Sequence, residues 1–147
     1  MVNVIRTLSS QAVIEEMKSQ DSYKGINKSM HWRQVIDFYS GLNGPPEEFP
    51  FVLIEGVPVN LISYEYEVNC KDEKKIVDYS QRETPPPPIF VQLLASRYQQ
   101  FLLNSNFKPI CVINGRHRVC AAILRGKTEI DAIMTQNAWN YLQRIIK

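Results

Sequence analysis

The sequence predicts an α+β fold held in one domain. Apolar residues recur at helical spacing through the first forty positions, and short alternating or wholly apolar runs bounded by glycine and proline follow them. The length of 147 residues matches a single domain. With 44% hydrophobic residues, 10% of the chain being aromatic, there is enough material for a buried core, which excludes disorder as the native condition.

In the first forty residues Val13, Ile14 and Met17 form a stripe after the capping-type Ser9 and Ser10. Met30, Val35, Ile36 and Tyr39 fit a second helix ending at Gly41, so a helical pair is expected. Gly41 to Pro50 carries two glycines and three prolines and reads as a connecting loop. Phe51 to Ile54, a turn at Glu55-Gly56 and Val57 to Val59 suggest a β-hairpin, and Ile62 to Val68 alternates as a half-buried strand does. Lys71 to Arg82 reads as a short surface helix. The four prolines Pro85 to Pro88 impose an extended segment, read as a rigid spacer feeding the next strand rather than a ligand for another domain. A strand over Ile89 to Ala95 runs into a helix carrying Tyr98, Phe101 and Leu102. Pro109 to Ile113 is a short apolar run of the kind buried in a sheet. A helix over Arg116 to Leu124 stops at Gly126, Glu129 to Met134 reads as a strand, and Trp139 to Ile146 closes the chain as a helix.

Seventeen basic and fifteen acidic residues give a net charge of +2, too near balance to mark a nucleic-acid binder. The distribution is more telling: from Lys108 onward seven basic residues face only Glu129 and Asp131, leaving that stretch at +5 and the remainder at −3. Three cysteines without Cys-x-x-Cys spacing and no signal-like start predict a reduced, cytoplasmic protein. No apolar stretch approaches the ~18 residues of a membrane span.

The most informative stretch is Ile113-Asn114-Gly115-Arg116-His117-Arg118-Val119-Cys120-Ala121-Ala122. A buried strand ends, glycine permits a sharp turn, and three residues able to carry positive charge occupy the first turn of a helix. Cations there oppose the helix dipole by a few tenths to ~1 kcal/mol each, so an anion is expected to compensate. A phosphate would accept from backbone N–H groups at the helix start and from neighbouring guanidinium groups. Arg118 could grip that phosphate or brace the turn, and the alternative for all three is solvation or pairing with acids such as Glu65 and Glu67. Those two glutamates project from one strand face and could hold a magnesium ion or serve as a base activating water or an acceptor beside phosphate; a solvated face is the alternative. Asp131 is a further candidate acid.

The run ICVINGRHRVCAAILRG resembles the signature of the ParB/sulfiredoxin-like superfamily, in which a strand delivers a Gly-x-x-Arg turn, a basic helix start with small alanines, then glycine and a strand. The upstream order of strand, helix and the Pro-Pro-Ile-x-Val element at Pro87 to Val91 also fits, so the resemblance covers about residues 60–134. It implies a ParB/sulfiredoxin-like mixed sheet with packed helices over residues 51–147; the first fifty residues are not explained by it and are read, from their own periodicity, as an N-terminal helical extension over residues 1–50 packed on the core. It also implies that Gly115, Arg116, His117 and Arg118, with Asn114 before them, hold the phosphates of ATP or CTP with Mg²⁺. His117, Glu65 and Glu67 are the candidate catalytic groups. The chain departs from each branch of the superfamily. Sulfiredoxins place a cysteine directly after the glycine where this chain has Arg116, so sulfinic-acid repair is not expected, and Cys120 reads as a small core residue. The free amino-acid kinase branch has aspartate where Asn114 stands; Asn114 could accept a magnesium-bound water, and capping the helix is its simpler role. Of the chromosome-partition pattern only Arg118 and the alanines match well, and too few residues follow Met134 for a DNA-reading domain.

Three functions compete on these grounds. The first is a nucleoside-triphosphate-binding protein that hydrolyses or transfers phosphate. The second is a DNA-associated nuclease or accessory protein of a plasmid, phage or modification system. The third is a non-catalytic module that binds a protein through its N-terminal helices. DNA and a second copy of the chain are accordingly the further candidate partners. Gly126-Lys127-Thr128 imitates the end of a P-loop but precedes a strand where a helix is required. His31 and His117 lack metal-ligand spacing, and His31 reads as a partly buried helix residue beside Trp32.

Overall fold

A computed structural model of the chain describes residues 2–20, 28–41, 50–63, 73–82, 86–93, 95–104 and 106–146. Its elements in chain order are β1 (Asn3–Leu8), α1 (Ser10–Gln20), α2 (Lys28–Gly41), β2 (Phe51–Pro58), a 3₁₀ turn (Val59–Leu61), β3 (Ile62–Ser63), α3 (Glu73–Gln81), β4 (Ile89–Leu93), α4 (Ala95–Leu103), β5 (Ile110–Asn114), α5 (Arg116–Leu124), β6 (Glu129–Thr135) and α6 (Gln136–Ile146). The fold is α+β, with one six-stranded mixed sheet in the order β1-β2-β6-β4-β5-β3. Pairs β1–β2, β2–β6 and β4–β5 are antiparallel, and β4–β6 and β3–β5 are parallel.

Strand alternation divides the sheet's side chains between two cores. Val52, Ile54, Ile89, Val91, Val112, Ala132 and Met134 pack with Val119 and Ala122 of α5 and with Ala138, Trp139 and Leu142 of α6. Their neighbours Phe51, Leu53, Phe90 and Ile133 pack with Val13, Ile14 and Met17 of α1 and with Trp32 and Ile36 of α2. The result is three layers, with helices covering both faces of the sheet. The central strands are buried on both sides and therefore read as unbroken apolar runs, as Phe51 to Ile54 and Ile110 to Val112 do.

Several elements follow the sequence closely. The Ser9 hydroxyl accepts from the Ala12 N–H at 3.2 Å and caps α1. The prolines Pro86 to Pro88 lead straight into β4, and α5 spans the residues expected of it.

Three expectations are corrected. The helical pair is present as α1 and α2, but β1 precedes it and pairs along β2 at the sheet edge, so residues 1–50 contribute a strand as well as helices. Glu55-Gly56 is not a hairpin turn. β2 runs through it, with Ile54 opposite Ala132 and Val57 opposite Ile130, so Glu55 and Gly56 together face Asp131 as a bulge, Gly56 at φ +83°. The chain cannot reverse there because β6 continues antiparallel beside both halves. Along α2, Trp32 and Ile36 make the buried stripe, whereas Met30 and His31 are exposed. The expected loop over residues 42–49, the continuation of β3 from Tyr64 to Val68, and Cys70 lie outside the described residues.

Candidate functional site

Strand β5 is paired on both sides, antiparallel with β4 and parallel with β3, and carries the apolar run Ile110-Cys111-Val112 into the core. It ends at Asn114, and Gly115 turns the chain into α5 at φ +116°. No side chain fits at this glycine. A Cβ would meet Ile89 Cγ2 at 2.5 Å and Arg118 Nη2 at 2.8 Å, and the positive φ would strain any other residue. The Val119 N–H donates to the Gly115 carbonyl at 3.1 Å, closing the first turn of α5.

Arg118 fixes this corner to the neighbouring strand. It is 3% exposed, and its Nη1 donates to the carbonyls of Pro87 at 2.9 Å and Pro88 at 2.8 Å. Of the two roles the sequence left open for Arg118, these bonds are those of a brace. Arg116 and His117, the other basic residues of the first turn, are half-buried.

The far end of α5 closes on backbone alone. Gly126, at φ +75°, donates to the Ile123 carbonyl at 2.9 Å and Lys127 to the Ala122 carbonyl at 2.9 Å, the paired bonds of a Schellman stop. Arg125 Nη1 donates to the Arg82 carbonyl just beyond α3.

Register gathers three strand ends beside this helix. Asn114 stands opposite Phe90 and Ile89 opposite Ala132, so the exit of β5, the start of β4 with its prolines, and the start of β6 share one end of the sheet. A cleft of about 160 Å³ opens there. From α5 and its C-cap come Arg118, Ala121, Ala122 and Arg125, one helix face by their spacing, and Pro86, Lys127, Glu129, Ile130 and Asp131 complete the lining. The two buried alanines keep the wall low between two arginines.

Of the residues singled out from sequence, Asn114, Gly115, Arg116, His117 and Arg118 are contiguous at the corner, and Asp131 lies at the cleft. Glu65 and Glu67 lie outside the described residues. Asn114 does not cap α5, whose N-cap is Gly115; its Nδ2 reaches Met17 Sδ of α1 at 3.4 Å. Cys120 is half-buried and Cys111 buried. His31 sits edge-on to Trp32, ring centroids 5.1 Å apart, on an exposed position rather than a partly buried one. Sequence reasoning missed Arg125 and Lys127 as members of the cleft, although the spacing of Arg118, Ala121, Ala122 and Arg125 was there to be read as one helix face.

Among the described residues no group of three or more His, Cys, Asp or Glu could hold a metal ion, and no helix is long and apolar enough to cross a membrane. The carboxylates in the lining of the cleft are Glu129 and Asp131. Two carboxylates suit Mg²⁺ bound chiefly through phosphate oxygens and water. Comparison of the chain with protein-family models, with curated proteins and with solved structures gives no match.

Proposed function

We propose that the chain is a ParB/sulfiredoxin-like protein that binds a nucleoside triphosphate, ATP or CTP, at the β5–α5 corner and hydrolyses or transfers its phosphate. The observation that carries this reading is the Gly115 turn. A buried strand delivers a left-handed glycine packed against Ile89, and the helix that follows opens with two half-buried basic residues, Arg116 and His117. Bringing a phosphate to that helix start would reverse the unfavourable meeting of cations with the helix dipole. The superfamily resemblance of residues 60–134 and the order of elements from β3 to β6 support the same reading.

The chain's residues divide the work by position. Arg116 would neutralise phosphate oxygens through a guanidinium that is always charged. His117 can donate a hydrogen bond to a phosphate oxygen through a ring N–H. Arg118 is a positioning residue, holding the turn to Pro87 and Pro88. A carboxylate, Glu65 or Glu67, would take the proton of the attacking water or acceptor hydroxyl. Mg²⁺, when bound, would offset the charge on the phosphate oxygens, with Glu129 and Asp131 as its fitting protein donors.

Calorimetry with ATP and CTP in the presence of Mg²⁺ tests the reading. Replacing Arg116 and His117 together by alanine should weaken nucleotide binding at least tenfold while circular dichroism and the melting profile stay unchanged. Phosphate release, followed separately, should fall in the same variant. Equal affinity in the two proteins would remove the proposal. Arg118→Ala is not the variant to use, because loss of the brace would move the corner whatever binds there.

A further inference from the structure

We infer that the cleft beneath α5 receives the terminal phosphate of the nucleotide whose inner phosphates meet the Gly115 corner, and that Lys127 and Arg125 hold it there; this rests on the nucleotide reading above. Corner and cleft are joined by one side chain. Arg118 lines the cleft, and its Nη2 lies 2.8 Å from the point a Cβ at Gly115 would occupy. Ala121 and Ala122 of the cleft wall follow Arg116 by five and six residues, so the wall begins roughly 7 Å along the helix axis from the start of α5. One phosphate cannot reach from the first place to the second, whereas the chain of a triphosphate can.

The lining has the chemistry of a phosphate site. Arg118, Arg125 and Lys127 stand against Glu129 and Asp131, which leaves an excess of positive charge around a space of about 160 Å³. That volume is roughly five waters, enough for one phosphate group and little more. The backbone carbonyls at this end of α5 already accept from the N–H groups of Arg125, Gly126 and Lys127, so side chains set the charge of the cleft.

Each cation has a separate part. Lys127 brings a compact charge with three donors, which suits a tetrahedral oxyanion from any side. Arg125 Nη1 donates to the Arg82 carbonyl at 2.9 Å, which holds the guanidinium in place and leaves it further N–H groups to give. Glu129 and Asp131, the fitting donors for Mg²⁺, share the lining, and Mg²⁺ takes most of its ligands from phosphate oxygens and water, so a phosphate is expected where they stand. A free phosphate would meet the same cations but gain nothing from the corner.

The test measures binding of ATP, ADP, CTP and CDP, with Mg²⁺, to the full chain and to Lys127→Ala and Arg125→Ala, both at exposed positions. Wild-type protein should bind a triphosphate about tenfold more tightly than the matching diphosphate, as one charge-assisted contact allows. Each variant should lose most of that advantage and leave diphosphate affinity unchanged. Arg144→Ala, which removes one charge from the exposed side of α6, should keep the wild-type ratio. The paired Arg116 and His117 replacement should weaken tri- and diphosphate alike, because it strikes the corner. Equal wild-type affinity for the two, or a variant of Lys127 or Arg125 that weakens both equally or neither, would overturn the cleft assignment while the phosphate corner stands. Failure of wild-type protein to bind any of the four would overturn both.

Discussion

The two ends of α5 are each set by a glycine of positive φ, and their surroundings differ completely. At Gly126 a Cβ would meet nothing within 4 Å, and the stop is made by backbone bonds to Ala122 and Ile123. At Gly115 a Cβ would strike Ile89 and the guanidinium of Arg118. Conformation alone selects glycine at the first place; at the second, space selects it as well. A helix stop can be supplied by local geometry, whereas the helix start here is built by two separate parts of the chain, residues 87–89 and 115–118, meeting at one point.

Unequal substitution costs should expose that difference. Gly115→Ala combines the strain of a left-handed non-glycine residue with overpacking against Ile89, and should destabilise the fold by on the order of 4 kcal/mol in urea unfolding with an unchanged slope. An effect below about 1 kcal/mol would show that the corner relaxes freely. Arg118→Ala removes two charge-assisted bonds and leaves the Pro87 and Pro88 carbonyls without them, for a loss of about 3 kcal/mol; lysine, whose ammonium ends a shorter side chain, should recover only part of it. Ile89→Ala should cost less in the Gly115→Ala background than in wild type, by about 1–2 kcal/mol, because the removed methyl group is the one a new Cβ would strike. Additive costs would separate the two sites. Gly126→Ala should be mildest, about 1 kcal/mol, reflecting conformation without contact.

How far the sequence could be read followed the same division between local and assembled features. The limits of α5 were legible because the basic start, the paired alanines and Gly126 all act within a few residues of one another. β4 and β5 were legible from unbroken apolar runs. β1 was missed because five of its six residues are exposed at an edge, where no alternation marks a strand. Gly56 was misread because a glycine in a β-rich stretch signals a turn or a bulge equally, and only the partner strand decides. The corner's residues were legible, but the bracing role of Arg118 depends on Pro87 and Pro88, some thirty positions away. The cleft beneath α5 required the registers of β4, β5 and β6, which no local pattern encodes.

The place of β6 has a consequence for how the molecule comes into being. It is the last of the described strands, yet it lies between β2 and β4, so among the described residues the ladder β1–β2 and the ladder β4–β5–β3 share no direct backbone pairing. During synthesis the two ladders remain unjoined until residues 129–135 leave the ribosome, with apolar strand edges of both exposed to solvent in the meantime. Nascent chains halted before that point would be prone to associate through those edges, and a chaperone that shields them would be needed most just before β6 emerges.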